Sequence, residues 1–449
     1  MTGITGGEPV PSLKAAGKVA TAWRPLPRRL PRILLLSLVF SPDSVSTANL
    51  LTELALQLRR LGHDLKVFTT TPHYNQDPDV LAPQPLTPRW GRVLFQSDCQ
   101  GIPVYHAWVG AKGSRVLGRL LDYLRFHAVG TIAGLRLGGR YDVVLAPSPP
   151  LTIGLSALVL AWARRVPFVY DVQEIYPDIA VDLGILRSRP LVRALEMLER
   201  FIYARSTAIV VISEGFRRRL LAKGVPEDKL HVIPNFVDTE FVKPGDRHND
   251  FSAQHQLDGK FVVQYSGNLG LTQDLEGIIS AAQMLSDLPE ICFLIVGNGA
   301  RKQWLTEQVA DLRLANVRLL PYQPRGLVPS LYASSDVCVV PLRRGTGQTT
   351  FPSKIYTVMA AGRPAIVCAD PGSDLPWIVQ QAKCGFAVDP ENPVALAEAI
   401  RGAYRQRDRL QEMGYNGREY VEMHHSPERI AAQYHELLMD VAWGKGREA

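Results

Sequence analysis

No two of the five cysteines, Cys99, Cys292, Cys338, Cys368 and Cys384, lie close together, and no Cys/His cluster accompanies them. That spacing excludes a zinc-ribbon or disulfide framework and fits a reducing compartment. Long apolar runs are missing too. The nearest approaches are residues 28–40 (RRLPRILLLSLVF) and 151–163 (LTIGLSALVLAWA). The first imitates a signal peptide but starts far from Met1, and cleavage would remove the first core strand. The second is too short to span a bilayer. The sequence therefore predicts neither export nor a membrane span. The turn after the first strand has no GxGxxG, which argues against a dinucleotide cofactor. Asp77-Pro78-Asp79 has a metal-binding spacing but sits among Pro, Asn and Gln, so a solvated loop is expected and no metal is assigned.

What is present is an apolar, basic chain of 449 residues, 46% hydrophobic with a net charge of +7, long enough for two or three domains. The charge is uneven. Residues 1–140 hold 17 Lys+Arg against 8 Asp+Glu, whereas the remainder holds 33 against 35. A basic partner surface thus belongs to the N-terminal part. Residues 1–31 have no periodicity and read as a mobile extension. From residue 32 the pattern is α/β. Residues 33–40 form an apolar run typical of a strand covered on both faces, followed by a helix with Leu50, Leu51, Leu54, Leu58 and Leu61 on one side, then a strand over 65–69. Such βαβ units predict a doubly wound sheet.

Within 111–140, Val116, Leu117, Leu120, Leu121, Tyr123 and Leu124 share one side of a helix, with Arg115, Arg119 and Arg125 away from it. A basic amphipathic helix of this kind suits an anionic membrane surface; an ordinary helix facing its own core is the alternative. No basic stripe interleaved with aromatics is present, so nucleic acid is not expected. The strand over 167–171 runs into three carboxylates, Asp171, Glu174 and Asp178, at a strand's carboxyl end, where α/β sheets place chemistry. Capping of the next helix explains them equally well. Residues 242–259 have the polar composition of a linker. A second α/β unit follows, with small-residue turns at Gly267-Asn268 and Gly297-Asn298-Gly299 that allow a ligand close to the backbone.

The most telling stretch is VVPLRRGTGQTTFPSKIYTVMAAGRPAIV, residues 339–367. A β-branched strand ends at Pro341, a loop with Arg343 and Arg344 follows, and Ser353 stands at or beside the N-cap of a helix that begins with Lys354. Strand, basic loop and helix N-terminus together make an anion site, and the added charges suit a diphosphate. A solvated loop with a merely capping serine remains the alternative.

Five stretches carry a family resemblance: 148–184, 210–242, VVQYSGNLGLTQDLEGI (262–278), FLIVGNGARKQWL (293–305) and FPSKIYTVMAAGRPAI (351–366). As an ordered set they resemble the retaining glycosyltransferases of family 4, and within them the O-antigen and colanic-acid type, including fucosaminyl- and fucosyl-transferases of bacterial surface polysaccharides. The resemblance implies a GT-B fold, two facing doubly wound Rossmann-like domains with a cleft between them. It places an acceptor-side domain at 32–240, a nucleotide-sugar domain at 241–425, and a C-terminal helix at 426–449 that returns to the first domain. It also implies a UDP-sugar or GDP-sugar donor without cofactor or metal, and a lipid-linked glycan acceptor. The enzyme would be cytoplasmic and peripheral at the inner membrane face. Donor contacts would come from Gly267, Asn268, Gly297, Gly299, Tyr322, Arg343, Ser353, Lys354 and Tyr356, and acceptor positioning from Glu174 or Asp171. Two departures stand out. Thr349 and Thr357 occupy the places of a Glu pair with seven residues between them, and Asn268 and Gln273 replace a basic pair. A sugar-nucleotide 2-epimerase of the same architecture and a non-catalytic nucleotide-sugar binder are the competing readings.

Overall fold

The computed structural model describes residues 29–74, 81–110 and 116–444, with residues 116, 117 and 120 described by backbone alone. Asp77, Asp79, Arg115 and nearly all of the expected N-terminal extension lie outside these residues. Two sheets organise the rest. The first holds β1 (Ile33–Leu36), β2 (Leu65–Thr70), β3 (Thr87–Trp90), β4 (Leu94–Cys99), β5 (Ile102–Ala107), β6 (Val143–Pro147), β7 (Phe168–Val172), β8 (Ala208–Val211) and β9 (Leu230–Val232), in the order 3-4-5-2-1-6-7-8-9. The second holds β10 (Phe261–Asn268), β11 (Ile291–Asn298), β12 (Val317–Leu320), β13 (Val337–Pro341), β14 (Ala365–Cys368) and β15 (Gly385–Val388), in the order 12-11-10-13-14-15. All neighbours in the second sheet are parallel, and in the first only the β3–β4–β5 edge is antiparallel. Continuous apolar strands explain the parallel pairing, because both faces are covered by helices.

The antiparallel edge was not legible in the sequence. Its tightest turn is Gln100-Gly101, where both residues have positive φ, 50° and 84°. That is the geometry of a two-residue hairpin, and Gly101 supplies it at no steric cost. Residues 242–259, expected as a polar linker, instead include the helix Asp250–Gln254. The reason is local: the Asn249 side chain accepts from the N–H groups of Phe251 and Ser252 while Ser252 Oγ accepts from Asn249 N–H, a reciprocal cap. Phe251 and Leu257 then bury against Val262 and Leu294 of the second sheet.

On one face of the first sheet lie the helices Val116–Leu137, Ile153–Arg164 and Arg189–Arg205; on the other lie Ser46–Arg60 and Pro427–Trp443. The last of these returns from the second domain, and its Ile430, Tyr434, Leu437 and Leu438 join the core around Ile33, Leu35 and Val143. Both crossings between domains run side by side. Val237 N–H donates to His425 O at 3.1 Å, and the His425 ring contacts Asn235 O at 3.1 Å. The final helix is therefore part of the first domain's core. Leu438→Ala is expected to cost about 2–4 kcal/mol, the range for a buried leucine truncation. Denaturant unfolding that leaves the first domain's transition in place would contradict this packing.

Candidate active site

The carboxyl edges of the two sheets face each other. Ile175 N–H, after β7, donates to Thr349 O, after β13, at 3.3 Å. Gly215 N–H, after β8, donates to both carboxylate oxygens of Asp374, after β14, at 3.0 and 3.1 Å. The second sheet reverses its strand order between β10 and β13, and ligands of open α/β sheets sit at such switch points.

The turns there are built for close approach. Strands β10 and β11 stay in register to their last residues, pairing Gly267 with Gly297 and Asn268 with Asn298. Leu269 N–H then donates to Asn298 O and Arg301 N–H to Leu269 O, at 2.9 and 3.0 Å, which locks the two turns including Gly299. Gly267 has φ +139°, and a Cβ there would stand 2.8 Å from Lys354 Nζ. Glycine is the residue that lets the ammonium in.

Lys354 begins the helix Lys354–Ala360. Its ammonium donates to the Tyr265 hydroxyl at 2.9 Å and to Gln273 Oε1 at 3.4 Å, and lies 4.1 Å from the centre of the Tyr265 ring. The Tyr265 hydroxyl donates onward to Asn268 O at 2.6 Å. Among the described residues no carboxylate pairs with this amine, and burial lowers its pKa to about 7. A half-buried amine with only neutral partners is stabilised as a cation by any anion that enters. Tyr265 and Gln273 were not assigned from sequence; Gln273 stood out only as a departure from the family.

Arg343 is also here, though not as a free charge. Its backbone N–H donates to Thr272 O at 3.0 Å and its Nη2 to Glu276 Oε1 at 2.7 Å. Arg301 pairs with the same carboxylate oxygen and stacks 3.9 Å from the centre of the Trp304 ring. Two guanidiniums thus share one carboxylate, which leaves the group net positive. Among the described residues Arg343 Nε has no hydrogen-bond partner.

Ser353 stands at the N-cap of this helix, as expected, with φ −57° and ψ −13°, and its side chain makes no capping hydrogen bond. Two sequence assignments need correction. Tyr356 is buried and stacks on His425, 4.1 Å between ring centres, so it pins the helix to the domain crossing and does not line the donor pocket. Asp171 is 1% exposed; its two oxygens accept from the Gln173 amide at 2.9 Å and it takes a further hydrogen bond from Tyr434. Burial pushes Asp171 up to about 6. It secures the C-terminal helix and does not open on the cleft.

Glu174 stands differently. It is partly exposed, makes no hydrogen bond or ion pair among the described residues, and burial raises its carboxyl above the ordinary value. Its neighbour Ile175 touches the donor-side loop through its backbone, which sets Glu174 next in sequence to a contact between the domains. Tyr322 is exposed in the turn after β12. Arg119 lies where β1, β2 and β5 end, in a pocket with His73, Tyr74, Asp122 and Tyr123. Asp43 accepts from the N–H groups of His73 and Tyr74 at 3.0 and 3.1 Å. Arg125 is apart, stacked 4.6 Å from the centre of the Trp108 ring.

Thr349, which stands where a glutamate was expected, is buried and its hydroxyl donates to Asp182 Oδ2 of the first domain at 3.0 Å. Nothing in the sequence pairs residues so far apart. The donor-side loop and the acceptor-side loop are thus tied through one residue, by Ile175 N–H on its carbonyl and Asp182 on its hydroxyl.

Two family models match the chain. That of the glycosyl transferase 4-like domain covers residues 47–235, and that of the glycosyl transferases group 1 covers residues 246–420. The chain is 26% identical over 413 residues to the putative colanic acid biosynthesis glycosyl transferase WcaI of Escherichia coli (strain K12), covering 90% of this chain and 98% of that one. It is 30% identical over 268 residues to the probable glycosyltransferase WbjE of Pseudomonas aeruginosa, covering 58% and 66%. Among solved structures, sucrose-phosphate synthase of Thermosynechococcus elongatus superposes with a TM-score of 0.71 at 18% identity, over 92% of this chain and all of that one. Anabaena Alr3699/HepE in complex with UDP-glucose superposes with a TM-score of 0.68 at 18% identity, over 91% of this chain and 100% of that one.

If the tie at Thr349 forms during turnover, Thr349→Val and Asp182→Ala should each lower turnover, with a coupling of about 0.5–1.5 kcal/mol in a double-mutant cycle. Additive losses would show that the two groups do not meet in the working enzyme.

Proposed function

The chain belongs to the family 4 glycosyltransferases of GT-B fold, and on that premise we propose that it moves a sugar from a nucleoside diphosphate to a lipid-linked glycan, with retention and without a metal. Sugar transfer in surface-polysaccharide synthesis follows from the family and its relatives. The finer reading rests on one observation: a half-buried amine, Lys354, held by neutral partners beside three glycines at a sheet's switch point.

The nucleotide leaves as an anion, and stabilising that charge is the main demand on the protein. Lys354 supplies a cation inside the cleft, and the Arg343–Glu276–Arg301 group adds net positive charge behind it. A divalent ion at such a site would meet like charge, so the side chains take the part that a metal plays in other transferases. Glu174, of the first domain and with a raised pKa, orients the acceptor hydroxyl and can take up its proton. In this reading the sugar is attacked from the side the nucleotide leaves, which preserves its configuration. HepE was solved with UDP, with UDP and glucose and with UDP-glucose, and a relative from Mycobacterium tuberculosis is described as GDP-mannose-dependent, so either base is compatible with this family. The matched relatives named above are transferases, and no observation favours the epimerase or the binding-only alternative.

The acceptor's lipid places the enzyme at the cytoplasmic face of the inner membrane. Among the described residues no helix is long and apolar enough to cross a membrane. The basic helix Val116–Leu137, with Arg119 and Arg125 exposed, is the element we assign to anionic lipid.

Lys354→Ala should weaken nucleoside-diphosphate binding by about 1.5–3 kcal/mol, the scale of a charge-assisted hydrogen bond. Unchanged affinity in the folded variant would remove Lys354 from the donor site. Transfer should survive excess EDTA, and Glu174→Gln should lower turnover far more than donor affinity. Activity lost to EDTA and restored by manganese would overturn the metal-free mechanism.

A further inference from the structure

Of the two readings of the helix Val116–Leu137, the one that turns Leu121 and Leu124 toward the core does not hold. Phe126, Gly130 and Ala133 of Val116–Leu137 face the sheet and are buried, whereas Leu121 and Leu124 are 56% and 57% exposed. The same holds for the two helices on the same face of the first sheet. In Ile153–Arg164, Ile153, Ala157 and Leu160 are buried, while Leu155, Val159 and Trp162 point outward at i, i+4 and i+7. Trp162 is 83% exposed, the largest value among the exposed large hydrophobics of the described residues. In Arg189–Arg205, Ile202 and Tyr203 are buried, while Met197 and Phe201 point outward.

These outward residues form one face, because Val116–Leu137 packs beside Ile153–Arg164, which in turn packs beside Arg189–Arg205. A monomeric soluble protein rarely leaves so broad an apolar stripe uncovered. The charge around the stripe is net positive. The first helix carries three arginines, the second one and the third four, against Asp122, Glu196 and Glu199. Glu199 does not count at the surface, since it is buried on Lys223 Nζ at 2.7 Å.

We infer that this three-helix face is the surface by which the protein docks on an anionic lipid bilayer, with Trp162, Val159, Leu155 and Phe201 entering the headgroup boundary and the arginines meeting the headgroups. The inference rests on the membrane-linked acceptor proposed above, but extends the contact from one basic helix to a layer whose deepest residue is a tryptophan. Three features select a bilayer over another protein. The apolar groups lie on helices that are each already anchored by their inner faces, the arrangement of interfacial helices. Tryptophan prefers the headgroup level, where its ring is half apolar and half polar. A second copy of the chain docking by the same face would set arginine against arginine, because a two-fold contact brings like patches together. The layer also explains delivery. The first two helices follow the carboxyl ends of β5 and β6, so Leu121, Leu124 and Leu155 lie in their N-terminal halves, near the pocket that holds Arg119 and Tyr123. An acceptor whose lipid stays in the bilayer reaches the cleft past this pocket.

The test is co-sedimentation of the full chain with phosphatidylcholine vesicles and with vesicles containing phosphatidylglycerol, at low and high salt. Leu155→Ser/Val159→Ser/Trp162→Ser and, separately, Arg165→Glu/Arg193→Glu are the variants; all five side chains are exposed, so folding is expected to persist and is checked by thermal unfolding. The parent should pellet with anionic vesicles only, and each variant should lose that binding about tenfold or more, since one basic group near a charged surface is worth about 1 kcal/mol. Transfer to a short-chain acceptor in detergent should be unchanged in both variants. Parent and variants that pellet alike, or a parent that ignores anionic vesicles, would overturn the docking surface. So would a parent dimer that the apolar variant converts to monomer, because the face would then be an interface between copies. Loss of transfer by every form, parent included, with vesicle binding intact, would instead defeat the proposed reaction and leave the surface standing.

Discussion

Everything at the donor side depends on a half-buried primary amine held among neutral partners without a counter-charge. Lys354 sits against the ring and hydroxyl of Tyr265 and the amide of Gln273, and burial holds its pKa near neutrality. Such a group is expensive in the empty protein, because desolvation disfavours the charged form and no carboxylate offsets it. The cost becomes binding energy when a diphosphate arrives. The local backbone follows from this one placement: Gly267 must lack a Cβ, β10 and β11 must end in register so that their turns interlock, and β13 must hand the chain to the helix Lys354–Ala360 at that point.

The second constraint is that two domains must close on one another without losing the ability to part. Polar contacts that cross the cleft include Thr349 with Ile175 and Asp182, and Gly215 and Arg218 with Asp374. Polar contacts of this kind are individually worth about 1 kcal/mol and exchange readily for water. The permanent connections are elsewhere, at the paired crossings of residues 235–237 and 425 and in the C-terminal helix, which is buried in the first domain's core. Asp171 belongs to that permanent set through Tyr434, and this is why a carboxylate at a strand's carboxyl end is structural here. Glu174, three residues on, is partly exposed and has no such fastening partner among the described residues.

Much of this was legible in the sequence, and what was not has physical reasons. The parallel strands announce themselves as continuous apolar runs, so the α/β class and the Gly267, Gly297 and Lys354 junctions could be placed from local pattern. The β3–β4–β5 edge could not, because short half-exposed strands carry little periodicity. The reciprocal cap of Asn249 and Ser252 was visible in principle, but a polar stretch hides it. Pairings between distant residues have no local signature at all: Asp171 with Tyr434, Thr349 with Asp182, Arg343 with Glu276. Each changes a residue's role, from candidate catalyst to fastener or from free charge to shared charge. The outward face of Leu121 and Leu124 was likewise beyond the helical projection, which groups residues by angle without saying which side meets the sheet.

The central claim is that Lys354 is near half-protonated in the free protein and becomes a full cation on the donor diphosphate. Calorimetric titration with a nucleoside-diphosphate sugar at pH 8, in two buffers of different ionisation enthalpy, reads this directly, since the diphosphate diester does not itself titrate there. With an amine whose pKa lies near 7 when free and rises when the anion binds, the protein takes up close to a full proton per bound donor, and affinity falls as pH rises above 7. Lys354→Met should abolish the uptake. Binding without proton uptake in the parent would mean that the amine does not meet the diphosphate, and would contradict the account.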